Sequence, residues 1–155
     1  MKGISLIRDG LTAYRVTGAE LYVPHHIALL AAAFEIAGQI DESLTQFGDA
    51  LQIAERTGEH WFTAELYRHK GQLLLRQGHA EAAKTLYRKV LGIAREQDAK
   101  LWELRAAASL ARLWRDQGWR GEARDLLAPV YGWFTQGFDT PDLKEAKALL
   151  DALDA

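Results

Sequence analysis

Five histidines and five tryptophans are the side chains of this sequence best equipped for chemistry, and neither set is spaced for it. His25 and His26 are adjacent, so on a helix they point about 100° apart and cannot share one metal ion. No helix carries two histidines at i and i+4 with a carboxylate between, the spacing that zinc hydrolysis needs. His60, His69 and His79 read as surface or capping residues. Trp114 stands in an apolar column, while Trp61, Trp102, Trp119 and Trp133 lie near helix ends, where aromatic packing is their commoner use. Glycine-rich phosphate loops and Ser/His/Asp or paired-carboxylate arrangements are missing. The expectation is a protein with no catalytic residues, no metal and no cofactor, and so not an enzyme.

Composition narrows the class further. The 155 residues make one domain's worth of chain, 48% hydrophobic and 26% charged, with no cysteine and a net charge of −2. Absent thiols exclude a disulfide framework and fit a reducing compartment. A near-neutral charge gives no broad footprint for nucleic acid. The first residues, Met1 to Asp9, hold a short apolar run broken by charge rather than a secretory core, and nowhere do some 18 apolar residues run together to span a membrane. We expect a cytoplasmic protein.

What positions these residues is an internal repeat. Gly38, Gly78 and Gly118 lie 40 residues apart, each between two helical segments. Five residues on stand Ser43, Ala83 and Ala123, all small; nine on stand Phe47, Tyr87 and Leu127, all bulky. Then come Ala50, Val90 and Val130, followed by Leu51, Leu91 and Tyr131, while Phe34, Leu74 and Trp114 precede each glycine by four. Ile27, Leu30, Ala31 and Phe34 are spaced i, i+3, i+4, i+7, as are Ala107, Leu110, Ala111 and Trp114, which is the stripe of an amphipathic helix. A glycine can supply the left-handed residue that ends each first helix, and Asp41, Glu42, Glu81 and Glu122 suit the positive end of the next. Small residues after the turn let two antiparallel helices approach, and the bulky residue one turn later fills the space beyond.

The expected architecture is therefore all-α. Residues 3–17 form an orphan second helix, 21–57, 61–97 and 101–136 form three helix pairs, and 141–153 form a C-terminal capping helix, about eight helices in one domain over 1–155. Pro129 falls inside the last second helix, where proline costs about 3 kcal/mol and should kink it; Tyr131, Trp133 and Phe134 would then wrap over the terminal helix. Gly137 can stop that helix, and Asp139 or Thr140 can cap the next, with Pro141 at its first position.

At these columns the sequence resembles a tetratricopeptide (TPR) array. The family's alternation of small, aromatic and glycine positions appears as Ala31, Phe34, Gly38, Ser43, Phe47 and Ala50, and again as Gly71, Leu74, Gly78, Ala83, Tyr87 and Val90. The period of 40 exceeds the family's usual 34, and Glu55, Arg95 and Thr135 stand where a proline normally ends the second helix. Six extra residues, about 1.7 turns, lengthen the helices. The resemblance implies a right-handed superhelix. The stretch LLAPVYGWFTQGFDTPDLKEAKALL also resembles the C-terminal helical-repeat tail of large bacterial signalling proteins, in which a nucleotide cyclase or other output module precedes a STAND-type ATPase. None of the motifs of those modules is present, so the resemblance implies a tail.

The family's ligand-facing positions fall on the first helices. Carried onto this chain they are His25, Ala28, Ala32 and Glu35; Glu65, Arg68, Gln72 and Leu75; Arg105, Ala108, Arg112 and Arg115. By that correspondence Arg68, Gln72, Arg105, Arg112 and Arg115 are candidates for holding an acidic peptide, since guanidinium forks take carboxylates bidentately. The competing reading is a solvated face balanced by Glu65, Glu103 and Asp116. At the other end, the orphan helix should show Ile4, Ile7, Leu11 and Tyr14 as uncovered apolar surface, to be covered by a second copy in a homodimer or left as a modest exposed stripe. The function expected is a protein–protein interaction scaffold; the alternatives are an effector-sensing module with a small ligand in its groove and a self-assembly module.

Overall fold

Residues 2–155 are described by a computed structural model. Among them are eight α-helices and no strand: α1 (Lys2–Val16), α2 (Val23–Ile36), α3 (Ile40–Thr57), α4 (Thr63–Arg76), α5 (Ala80–Glu96), α6 (Lys100–Asp116), α7 (Arg120–Gly132) and α8 (Pro141–Asp154). They form two compact units, Met1–Leu73 and Leu74–Ala155, with the division inside α4.

The turns within the helix pairs repeat one hydrogen-bond pattern. Gly38 sits at φ 78°, Gly78 at 88° and Gly118 at 89°, all left-handed. In each, the glycine N–H donates to a carbonyl three residues back: Glu35 at 2.9 Å, Leu75 at 3.0 Å and Arg115 at 3.0 Å. The following N–H reaches five back, Gln39 to Phe34 at 2.9 Å, His79 to Leu74 at 2.9 Å and Trp119 to Trp114 at 2.8 Å. This is the Schellman closure, which satisfies carbonyls the helix would otherwise orphan. The expected glycine stops are met, and the aromatic or leucine column four before each glycine proves to be the carbonyl that receives the closing bond. The same closure ends α5, where Ala99 donates to Ala94 at 2.8 Å, but the left-handed residue there is Asp98 at φ 52°.

In the first unit α2 lies in the middle. Its Val23, Ile27, Ala28 and Ala31 share a core with Phe47, Ala50 and Ile53 of α3 and Leu66 and Leu73 of α4. Ser43 is fully buried, and its hydroxyl donates 2.7 Å to the Ala31 carbonyl, so the small column brings two backbones together. α1 packs its Ile4 against Leu30 and Phe34 of α2. In the second unit α6 is central, packed against α5, α7 and α8. Ala123 and Leu127 of α7 are fully buried, as is Ala146 of α8.

Two local expectations change. α7 has 13 residues against 18 and 17 in α3 and α5, ending three residues past Pro129 rather than near residue 136. Proline has no N–H for the i−4 bond, and the chain leaves the helix soon after. Trp133 consequently stays 58% exposed instead of being covered against the terminal helix. Thr140 does precede α8 with Pro141 at the first position, but its hydroxyl donates back to the Gly137 carbonyl at 2.6 Å instead of capping.

The turns make an opposed pair of predictions. Gly118→Ala should destabilise by about 1–2 kcal/mol, because a Cβ is disfavoured at positive φ. Asp98→Gly should stabilise by about 1 kcal/mol by removing that same strain; its contact with Lys100, 3.8 Å long and largely exposed, is a weak loss. Urea midpoints of the two variants measure both.

Candidate interaction surfaces

The first helices carry the charged positions expected to meet a ligand, and the structure gives each arginine a carboxylate of its own chain. On α4, Arg68 grips Glu65 with both prongs, Nε to Oε1 at 3.0 Å and an Nη to Oε2 at 2.9 Å. The pair is sequestered: the side chains are 12% and 3% exposed. His69 leans on the same carboxylate at 3.6 Å and stacks on the Phe47 ring, 5.8 Å between centroids. Gln72, one turn on, is half-buried.

On α6 the partners come from α8. Arg105 Nε and Nη reach Asp142 at 3.0 and 2.9 Å, and Arg112 reaches Glu145 at 3.3 Å. Arg115 turns to its neighbour Asp116 at 3.1 Å. The balancing acids inferred from sequence thus include Glu65 and Asp116. Glu103 faces elsewhere: it is buried and takes Arg95 at 3.0 Å and Lys100 at 3.2 Å. Asp142 and Glu145 went unassigned in the sequence reading. Their three-residue spacing on a helix next to an arginine-bearing helix was the available signal, but only packing shows which helix they face.

α8 closes its end of the second unit. Leu143, Ala146, Leu149, Leu150 and Leu153 are buried, and Lys144, Lys147 and Asp151 are exposed. Arg120 clamps the last turn by donating to the Ala152 and Ala155 carbonyls, where a cation suits the negative helix end. The hydrogen bond from Lys147 to Asp151 raises the lysine above its ordinary range.

Two of the first unit's depressions carry several apolar residues. One, about 410 Å³, has Leu11, Ile27 and Ile53 among its walls, with Arg15, Gln46, Asp49, Gln52 and Arg56 around them, Arg56 being held by Glu20 at 2.7 Å. The other, about 280 Å³, lies between α1 and α2 and is lined by apolar residues, glycine, tyrosine and His26. The apolar stripe expected on α1 sits differently from the sequence reading: Ile4 is buried against α2, and Ile7, Leu11 and Tyr14 are half-buried. Leu6 and Leu29 are the open side chains, 71% and 51% exposed.

His25, His26 and His69 pack against aromatic rings, while His60 and His79 are exposed. His25 lies against Phe62 (4.8 Å) and Trp61 (5.7 Å), with its buried Nδ1 lacking a hydrogen-bond partner among the described residues. Glu59 accepts the Tyr22 backbone N–H and the Trp61 indole N–H, both at 2.8 Å, which holds Tyr22 at its positive φ. Among the described residues no three His, Asp or Glu side chains gather as a metal site, and no helix is long and apolar enough to cross a membrane.

Comparison with known proteins agrees with this geometry. Residues 24–96 match the tetratricopeptide repeat family. An uncharacterised protein of Rhizobium meliloti (strain 1021) is 29% identical over 112 residues, which are 72% of this chain and 11% of that protein. The chain thus spans about a tenth of that relative's length. BtubC (BKLC) from P. vanneervenii superposes with a TM-score of 0.82 at 19% identity, over 98% of this chain and 64% of that one. A kinesin light chain with nearly identical TPR-like repeats from Podosopora anserina gives 0.72 at 18%, over 98% and 76%. At such identities the likeness establishes a TPR-like fold.

The buried Arg68–Glu65 pair can be tested by itself. Arg68→Met should cost about 3–5 kcal/mol, because a buried carboxylate loses its bidentate partner, and adding Glu65→Leu should recover most of that loss. Chemical denaturation of the single and double variants measures it.

Proposed function

We propose that this tetratricopeptide-type chain is a non-catalytic protein-interaction module, whose α6 face takes an acidic segment of a partner polypeptide. TPR-type repeats present helix faces for protein binding, and the observation that carries the acidic preference is the pairing of α6 with α8. Arg105 and Arg112 already hold two carboxylates spaced three residues apart on one helix, the spacing an acidic helical ligand presents. The Arg112–Glu145 contact is single-pronged, with side chains 38% and 65% exposed. Exchanging Glu145 for a partner's carboxylate therefore costs little. Arg115, held only to exposed Asp116, adds a second fork nearby in sequence. Arg68 is a structural residue by contrast, since its carboxylate is buried with it.

The wider setting we propose is the helical-repeat tail of a bacterial signalling regulator. The resemblance of residues 126–150 to such tails supports it, as does the much greater length of the Rhizobium relative. A second reading, effector sensing, is favoured by the 410 Å³ depression, where an apolar floor meets polar groups as small-ligand sites require. Its ligand would be a small molecule with an apolar body, met by the charges of Arg15 and Asp49.

Fluorescence anisotropy with a labelled octaglutamate peptide tests the main reading. Binding should weaken with added salt and fall at least tenfold in Arg112→Glu with Arg115→Glu, while Glu145→Gln should tighten it by removing the internal competitor. Equal affinity in wild type and the double reversal would overturn it.

A further inference from the structure

Between α5 and α7, with the start of α6 as part of its floor, lies a groove of about 250 Å³. All three helices have another helix before and after them in the chain, so the groove belongs to the interior of the series. Its α7 wall departs from the repeat. The column of Trp133 holds Ile53 and Ile93, and the column of Pro129 holds Asp49 and Lys89. Ile53 is a core residue, 8% exposed, whereas Trp133 is 58% exposed. Pro129 is exposed as well, and Leu126 is half-buried. These three stand at i, i+3 and i+7, which puts them on one side of α7 and its last turn. Packing does not account for an open tryptophan in an isoleucine column beside a proline in a charged one.

The polar groups of the groove divide into committed and free. Arg95 and Lys100 both hold the buried Glu103, at 3.0 and 3.2 Å. Lys100 also lies over the Trp133 ring, 5.6 Å from its centre, and Phe134 meets that ring edge-on at 5.2 Å. The tryptophan is thus fixed in place while more than half of it faces solvent. Its indole N–H has no hydrogen-bond partner among the described residues, and the exposed Asp125 carboxylate has neither a hydrogen bond nor an ion pair there. Left over for a ligand are a flat aromatic surface, an apolar strip, one donor and one carboxylate.

We propose that this groove binds a proline-rich segment of another polypeptide, held in the polyproline II conformation, with one arginine of the segment on Asp125. Proline rings lie flat on aromatic side chains, and aromatic-lined grooves are the usual seats of such segments. A polyproline II backbone makes no internal hydrogen bonds, so its carbonyls are free to accept the Trp133 N–H. A helix has used its carbonyls and, at about 10–12 Å across, is too wide for the space. The unpaired acid selects a cation, and a guanidinium meets a carboxylate best. From Asp125 to Trp133 is about 12 Å of helix, which about four polyproline residues span. The arginine and the stacked proline are therefore about four residues apart in the ligand. The α6 face takes carboxylates and this groove takes a cation, so the two sites accept different segments.

The probe is a labelled peptide of one arginine followed by six prolines, titrated with the full chain and read by anisotropy. Saturable binding is expected, at least tenfold weaker when the prolines are replaced by alanines or the arginine by glutamate. Trp133→Ala should weaken binding at least tenfold, and an unchanged melting temperature would assign that loss to the missing ring. Asp125→Arg should invert the preference, taking the glutamate peptide over the arginine one; this reversal decides the matter if Trp133→Ala proves less stable. Absence of saturable binding, equal binding of the proline and alanine peptides, or an unaltered charge preference in Asp125→Arg would overturn the proposal.

Discussion

Two helices can lie against each other along their length only if some column of side chains is small enough to let the backbones approach. Here that column falls five residues after the turn glycine, and the rest of the packing follows from it. Ser43 is fully buried with its hydroxyl on the Ala31 carbonyl, and Ala123 is fully buried at the same place in the last pair. Approach there seats Phe47 and Leu127 one turn on, and these large side chains remove the apolar area that stabilises each unit, worth about 25 cal/mol per Å². The turn that precedes the column is closed by the same backbone bonds in each pair, whichever residue follows the glycine: Gln39, His79 and Trp119 all occupy that place.

Against this regular background the charged residues divide by burial. Glu65 and Glu103 lie in the first turns of α4 and α6 and are buried with cations on them, Arg68 for one, Arg95 and Lys100 for the other. An acid there also faces the positive end of its own helix. These pairs are parts of the fold, because removing one member strands the other away from water. The Arg112–Glu145 and Arg115–Asp116 pairs are exposed, contribute little to stability, and exchange partners easily. Identical residue types on equivalent helices therefore do different work, and depth decides which.

The two ends of the helix series are finished differently for the same reason. α8 alternates buried leucines with lysine and aspartate, so its outward side is wetted. α1 exposes Lys2, Ser5, Arg8, Asp9 and Arg15, but Leu6 and Gly10 also stand open beside Leu29. A repeat helix needs two neighbours to cover its apolar columns, and α1 has only one among the described residues.

The sequence alone determined the helices, their period and their small and bulky columns, because a repeat writes the same packing constraint several times and each copy checks the others. It also determined where the first helices stop, since positive φ selects glycine. Asp98, a left-handed stop without glycine, lay outside that signal. Tertiary structure decided which arginine meets which acid, because spacing along one helix says nothing of the neighbouring helix that faces it; Asp142 and Glu145 became partners of Arg105 and Arg112 only when α8 packed on α6. It decided as well that Ile4 turns inward and Leu6 outward, a rotation of α1 about its axis set by contact with Leu30 and Phe34. Local pattern fixes what a helix is, and its neighbours fix which side of it is used.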